Sequence, residues 1–316
     1  MKTRRLGRTA VEVTELGCGA ASLGSLYRET TEGEAFEAVE AAWNNGIRFF
    51  DTAPHYGLGL SEYRPGAALG GHPRDEDVLA TKVGRLLVPN LSAIGRYISA
   101  GMAVPDGLRR VWDFSRDGIR RSVDASVERL GTDYLDVALV HDPDEHMDVA
   151  IGEALPALTK LRAEGVVRAI GLGMNQWEGP LRAVGEIFLD VVMLAGRWTL
   201  LDRSGVQLVD ECENRGVSIL VGGPFNSGIL AKSWPEDGAF FDYGPASAGV
   251  LLRARQLATL SERHGATLPQ AALQFPLQRP VVASVVVGMR TNTQVDSNVA
   301  MYESPVVREF SDETGT

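Results

Sequence analysis

The 316-residue chain has only two cysteines, Cys18 and Cys212, far apart and outside any C-x-x-C frame. That excludes a disulfide framework and a zinc knuckle. Buried, reduced thiols of a cytosolic protein are the expectation. The chain also lacks an excess of positive charge: 31 Lys and Arg stand against 41 Asp and Glu, a net charge of −10. An acidic surface disfavours nucleic acid and anionic membrane as partners, because phosphate binding needs a cationic face. A small anionic ligand in a local basic pocket remains compatible with it. Long apolar runs are missing too; Val281 to Val287 is too short to cross a bilayer. The opening Met1-Lys2-Thr3-Arg4-Arg5-Leu6-Gly7 has no apolar stretch of the secretory-signal kind. The expectation is a cytoplasmic protein with a small-molecule substrate and with neither nucleic acid nor membrane as partner.

What is present is an alternation of two periodicities. Leu16–Gly19 reads as the end of a first strand, and short apolar, mostly β-branched runs at Ile47–Asp51, Val78–Lys82, Leu135–His141, Val167–Gly171, Asp190–Leu194, Val217–Val221 and Ala283–Val287 read as seven more. Helical stripes separate them. Thr31 to Asn45 carries Ala35, Phe36, Val39, Ala42 and Trp43 on one face, with Thr31-x-x-Glu34 as a capping box and Gly46 as its stop. Further helices are expected at Asp117–Leu130, Ala150–Glu164, Val206–Arg215, Ala248–His264, Pro269–Leu277 and from Thr293. Alternating βα units imply a parallel sheet with helices outside it. Eight of them in about 300 residues, with no composition break, predict one α/β domain over residues 1–316, a (β/α)8 TIM barrel.

An open dinucleotide-binding sheet is the rival architecture, but Gly17-Cys18-Gly19 continues as Ala20-Ala21-Ser22, which breaks the G-x-G-x-x-G frame. Leu6 to Val13 reads as a short N-terminal β-hairpin plugging the barrel's bottom. Two long connections, Gly84 to Ser115 and Pro224 to Pro245, both follow strands and so belong to the C-terminal face, where barrel active sites lie.

Four polar residues stand where apolar runs stop: Asp51, Tyr56 five residues later, Lys82 and His141. Taken singly, each has a bland reading as a structural ion pair or a satisfied histidine. Together they make a proton-transfer device. A phenol near pKa ~10 is too weak an acid at neutral pH. An adjacent ammonium lowers it, an Asp holds that ammonium, and a His orients a carbonyl oxygen. Such a set moves a proton at a carbinol oxygen and supplies no hydride, so a nicotinamide cofactor is implied. A metal reading of His141-Asp142-Pro143-Asp144-Glu145-His146 fails because Pro143 breaks any helical i, i+4 face. No metal is expected.

Gly46-Ile47-Arg48-Phe49-Phe50-Asp51-Thr52-Ala53-Pro54-His55-Tyr56-Gly57, followed by Ser61-Glu62, resembles the signature of the aldo-keto reductase family. Ala80-Thr81-Lys82-Val83-Gly84, Val140-His141-Asp142-Pro143, Ile170-Gly171-Leu172-Gly173-Met174-Asn175, Trp198-Thr199-Leu200-Leu201-Asp202 and Val287-Gly288-Met289-Arg290-Thr291 continue the match in order. The resemblance implies a (β/α)8 barrel, NAD or NADP, and a tetrad: Tyr56 as general acid/base, Lys82 and Asp51 as its tuning pair, His141 as carbonyl orienter. It implies Trp198 stacked on the nicotinamide, Asn175 on the carboxamide, and Gly19 and Asp51 beside the cofactor. Gly223, Phe225, Asn226, Ser227, Gly228 and Leu230 resemble the loop over the pyrophosphate. Gly288, Met289, Arg290, Gln294 and Asn298 resemble the adenosine-phosphate site. Ala195 stands where the family often has a Gln for the carboxamide.

The phrases around Trp198, Gly223 and Gly288 are most similar to a branch that oxidises cyclic hemiacetals, of L-fucose, D-threo-aldoses or pyridoxal, to lactones. NADPH-dependent reduction of aldehydes or ketones uses the same residues in reverse, and a cofactor-binding regulatory module without turnover is the third reading. Substrate choice falls to the two long loops, with Tyr97, Trp112 and Phe114 in the first and Trp234, Phe240, Phe241 and Tyr243 in the second. Tyr56, His141 and Trp112 are the expected substrate contacts.

Overall fold

Thr31 opens the first outer helix. Its hydroxyl accepts from the Glu34 amide at 3.1 Å while the Glu34 carboxylate accepts from the Thr31 amide at 2.8 Å. The helix spans Glu32–Asn44 and buries Ala35, Ala38, Val39, Ala42 and Trp43. Ser115, Ser247, Thr267 and Thr291 cap later helices in the same way, each accepting from the amide three residues on. Sequence periodicity and capping chemistry thus agree on where the outer layer begins each turn.

The chain was studied as a computed structural model that describes residues 1–93, 95–99 and 101–304, without the side chains of 96–99. A hairpin of β1 (Thr3–Arg5) and β2 (Glu12–Thr14) comes first. Eight parallel strands then close into a barrel: β3 (Leu16–Gly19), β4 (Phe49–Asp51), β5 (Val78–Val83), β10 (Leu135–His141), β11 (Val167–Met174), β12 (Val191–Ala195), β13 (Ser218–Gly222) and β16 (Val282–Gly288). They pair in chain order, and β16 closes on β3 with Val285 opposite Leu16 and Gly288 opposite Gly19. All eight coincide with the strands expected from the sequence. Closure removes every edge, so no strand of the barrel is left with unpaired backbone.

Two apolar layers follow from the alternation of side chains along each strand. Inward-facing Phe49, Ala80, Val137, Leu139, Ala169, Val191, Met193, Leu220 and Ala283 fill the barrel. Outward-facing Phe50, Leu79, Ala138, Val140, Ile170, Leu172, Val192 and Ile219 meet the helices. The hairpin seals the bottom. Leu6 and Val13 are fully buried against the inner layer. The Arg4 guanidinium donates to the carbonyls of Leu277, Arg279 and Val282. The Val285 amide donates to Glu15 O at 2.8 Å.

The connection after β5 is not an irregular loop. It is a β-finger of β6 (Arg85–Pro89) paired antiparallel with β9 (Leu108–Trp112), extended by β7 (Arg96–Ser99) paired with β8 (Met102–Pro105). Its base is Gly84, at φ +93°, where a Cβ would come within 2.3 Å of the Phe114 ring; only glycine fits there. The finger bends across the barrel mouth. The Tyr27 amide donates to Gly101 O at 2.6 Å, the Ala103 amide donates to Ser25 O at 2.9 Å, and Leu26 bridges Met102. The connection after β13 also carries a small hairpin, β14 (Phe240–Phe241) with β15 (Gly244–Pro245). Its turn residues Asp242 and Tyr243 both take positive φ, 50° and 64°, the signature of a type I′ turn. A bidentate ion pair from Arg197 to Asp242, at 3.0 Å to each oxygen, holds that turn down. Among the described residues, no helix is long and apolar enough to cross a membrane.

Candidate active site

Asp51 ends β4, Lys82 lies one residue from the end of β5, and His141 ends β10. Parallel strands point their carboxyl ends the same way, so all three side chains meet at one mouth of the barrel. Tyr56 starts a short 3-10 turn, Tyr56–Gly59, that folds back over the same mouth. The Ser61-Glu62 pair that follows has a supporting role. The Ser61 hydroxyl donates to Ala20 O at 2.7 Å, and Thr52 donates to Ser61 O at 2.6 Å. The Glu62 carboxylate is fully buried and accepts from Thr81 at 2.7 Å and Arg129 at 2.6 Å, fixing the neighbour of Lys82.

The Lys82 ammonium donates to both Asp51 oxygens, at 2.9 and 2.8 Å, and to the Thr52 carbonyl at 2.9 Å. It lies 5.0 Å from the centre of the Tyr56 ring. Burial works against its charge, but Asp51 and Tyr56 more than offset that, and the Lys82 pKa is raised. The Tyr56 phenol behaves differently from the sequence-based expectation. Burial pushes it up, Lys82 pulls it down, and burial wins, so its pKa stands above the usual tyrosine value. Tyr56, His55 and His141 form a cluster of three edge-to-face rings, with centroids 5.7 to 5.9 Å apart. Burial, then Arg85 and Lys82, holds His141 well below the ordinary histidine range, so it is neutral at pH 7. Its Nδ1 has no partner among the described residues, and its Nε2 lies 3.6 Å from Asp142 Oδ2.

These four groups line a cleft of about 620 Å³, walled also by Gly19, Leu26, Tyr27, His55, Arg85, Met102, Asp142, Asn175, Ala195 and Tyr243. One side of it is almost bare of side chains. Gly19, Gly173, Gly222, Gly223 and Gly288 all face the space, and a Cβ on Gly288 would meet nothing within 4 Å. A second cavity of about 460 Å³ shares Tyr27 and Tyr243 with the cleft and is lined by Ser227, Gly228, Lys232 and Phe240. A ring-bearing, phosphate-linked molecule fits such a pair: a flat glycine surface beside Lys82 and Tyr56 for the ring, and small residues with a lysine beyond it.

The structure therefore brings Gly19, Asp51, Tyr56, Lys82, His141, Asn175, Gly223 and Gly288 to one cleft, and Ser227 and Gly228 to the adjoining cavity. The other anticipated contacts lie elsewhere. Trp198 does not face the cleft: it is 4% exposed, with its ring 5.5 Å from Phe275 and its Nε1 unpartnered among the described residues. Gly196, at φ +74°, turns the chain outward, so Ala195 is the last residue of that segment to face the mouth. Leu230 and Met289 are fully buried apolar residues, and Phe225 packs on the core.

The Asn226 amide is committed within the fold, donating to Gly196 O at 3.1 Å and accepting from Thr199 at 2.6 Å. Arg290 donates to the carbonyls of Ser22 and Leu26. Gln294 accepts from the Arg290 amide at 2.8 Å, and Asn298 is buried. Trp112 stands at the rim over Arg85, 5.5 Å from ring centre to guanidinium. Phe114 is buried beneath Gly84, and the Tyr97 side chain lies outside the described residues. Several wall residues were not named as site residues from the sequence, among them the polar His55, Arg85 and Asp142. His55 and Asp142 are sequence neighbours of Tyr56 and His141, which was the one available clue.

Comparisons with known proteins agree with this fold and point to one family. The model of the Aldo/keto reductase family matches residues 15–313. The chain is 46% identical over 290 residues to a D-threo-aldose 1-dehydrogenase of a Pseudomonas species, covering 90% of this chain and 88% of that protein. It is 38% identical over 328 residues to pyridoxal 4-dehydrogenase of Microbacterium luteolum, covering 97% and 94%. Among solved structures, a holo-form aldo-keto reductase of Bacillus halodurans superposes with a TM-score of 0.77 at 28% identity, covering 99% of this chain and 95% of that one.

Proposed function

The chain belongs to the aldo/keto reductase family of NAD(P)-dependent oxidoreductases, and from that premise we propose that it oxidises the carbinol carbon of a cyclic hemiacetal to a lactone. Aldoses such as L-fucose or a D-threo-aldose, and pyridoxal, are the substrates of this reading. The observation that carries it is the convergence of Tyr56, Lys82, Asp51 and His141 beside a glycine-floored surface in one cleft. The two dehydrogenase relatives support the direction by their names. A hemiacetal carbon bears both a hydroxyl and a hydrogen, and losing both yields an ester-like carbonyl, so oxidation is less uphill than for a simple alcohol.

Bound NAD or NADP supplies the hydride acceptor, and Gly19, Gly173, Gly222, Gly223, Gly288 and Asn175 are the residues that would hold its ring. The Tyr56 phenolate takes the hydroxyl proton of the substrate. Lys82 stabilises that phenolate and is itself held charged by Asp51. Neutral His141 holds the substrate oxygen in line, as a hydrogen-bonding group rather than a charge.

Tyr56→Phe tests this. Hydride transfer from L-fucose or pyridoxal should fall by roughly 10²–10⁴-fold, while cofactor binding, followed by fluorescence quenching, stays near wild type. Unchanged turnover in the variant overturns the mechanism. Wild-type turnover confined to NADPH and simple aldehydes overturns the oxidative reading and favours the reductase.

A further inference from the structure

The proton-transfer groups leave one wall of the cleft unaccounted for. Arg85 opens the β-finger just past Gly84 and is only 9% exposed. One terminal nitrogen donates to Asp142 Oδ2 at 2.6 Å, and the other lies 3.3 Å from His55 Nδ1. Its Nε is buried without a partner among the described residues. A guanidinium only donates, so His55 Nδ1 is an acceptor and the ring hydrogen sits on Nε2. Asp142 binds Arg85 through one oxygen; its other oxygen accepts no hydrogen bond among the described residues.

The backbone is bent to build this wall. Consecutive residues of a strand face opposite sides, yet His141 and Asp142 both line the cleft. Asp142 achieves this with φ +40°, a left-handed conformation that an aspartate tolerates better than most residues. Strain of this kind persists where a site over-determines it. The result is a cationic donor, a carboxylate acceptor and a neutral N–H donor side by side, with the Arg85-bound oxygen of Asp142 3.6 Å from His141 Nε2.

We propose that Arg85, Asp142 and His55 form a hydroxyl-reading wall that selects polyhydroxylated hemiacetals through the hydroxyl on the carbon next to the reacting one. This rests on the hemiacetal reading above and narrows it to sugars. A hydroxyl both donates and accepts, so it matches a wall that offers both within one side chain's breadth. Asp142 directly follows His141, so a substrate whose reacting oxygen lies on His141 carries its adjacent hydroxyl to Asp142 and Arg85. A substrate without that hydroxyl leaves the second Asp142 oxygen and the spare terminal N–H hydrogens of Arg85 unpaired against it, and sites built to hydrogen-bond a hydroxyl reject analogues that lack it.

The test is calorimetric titration of L-fucose and of 2-deoxy-L-fucose into protein loaded with reduced cofactor, where binding is read without turnover. Wild type should bind L-fucose roughly tenfold or more tightly than its 2-deoxy analogue. The ratio should shrink toward one in Arg85→Met and in the isosteric Asp142→Asn. Circular dichroism identifies a variant that fails to fold; either variant alone suffices. A wild type that binds neither sugar, or both equally, overturns the inference, as does a ratio that survives in a folded variant. Oxidation assays on the same two sugars separate the two readings. A held ratio without oxidation sinks the proposed reaction and leaves the wall standing; oxidation without a ratio does the reverse.

Discussion

Lys82→Met is the most informative single perturbation. Lys82 and Asp51 are 2% and 4% exposed, and Lys82 is the counter-charge to which the Asp51 carboxylate is hydrogen-bonded. Removing the ammonium leaves a carboxylate buried and unpaired, which costs about 3–5 kcal/mol. The double variant Asp51→Leu with Lys82→Met removes both charges, and replacing a whole buried pair by apolar residues of similar volume is close to neutral in energy. Urea unfolding should therefore show a large loss in the single variant and recovery of most of it in the double. Catalysis should not follow stability. Tyr56 already stands above its ordinary pKa because burial outweighs Lys82, and without Lys82 only the upward push remains. Hydride transfer, read as reduced nicotinamide absorbance, should fall roughly 10²–10⁴-fold in both variants. A single variant as stable as wild type would refute the energetic account of the pair. An active double variant would refute the role given to the lysine.

Four further outcomes follow from groups described above. Oxidation should speed up with rising pH well into the alkaline range, because the phenol's pKa is raised, and no acid limb should come from His141, which is held neutral; a rate that levels off near pH 7 would contradict this. Burial, with Arg110 and Arg85, pushes His55 down to about 3. The unfolded chain therefore binds the extra proton first. Stability is fully present above about 6.5 and is lost as pH falls toward 3, with at most about 1.4 kcal/mol per pH unit from this group. His55→Asn should flatten that slope in acid-denaturation curves. Burial pushes both Cys18 and Cys212 thiols up to about 12, so a disulfide reagent should label neither in the native protein and both after denaturation. Gly84→Ala should destabilise the protein by about 1–3 kcal/mol, since φ +93° and the Phe114 ring both exclude a Cβ; a melting curve superposable on wild type would remove the steric account of that turn.

The barrel was legible because most strands are β-branched runs, the others short apolar runs, and each capped helix carries its own start signal, from Thr31-x-x-Glu34 to Thr291. Asp51, Lys82 and His141 were legible for the same reason, since a polar residue closing an inward strand has one place to point. What failed was direction after a strand had ended. Trp198 lies three residues beyond Ala195, past a glycine at φ +74°, and no periodicity reports which way such a turn sends a ring. Asn226 and Arg290 were expected at the cofactor by resemblance to the pyrophosphate loop and the adenosine-phosphate site, and the fold commits their side chains to Gly196, Thr199, Ser22 and Leu26 instead. The β-finger was hidden because its strands are short and punctuated by Pro89, Gly101 and Pro105. The wall of Arg85, Asp142 and His55 needed three separate segments brought together, and the φ of Asp142 reads as nothing special in Val140-His141-Asp142-Pro143.

The seal at the bottom of the barrel bears on how the chain reaches this state. Arg4 is bonded to carbonyls as far away as Val282, 278 residues along the chain, and the Tyr302 hydroxyl donates to Glu15 at 2.7 Å. Contacts of such sequence separation raise contact order and form late, because the loop-closure entropy comes before any reward. During synthesis the hairpin must wait, with Leu6 and Val13 wetted, until the last strand leaves the ribosome. A chain stopped short of β16 would lack the carbonyl of Val282 that Arg4 binds and leave the floor incomplete.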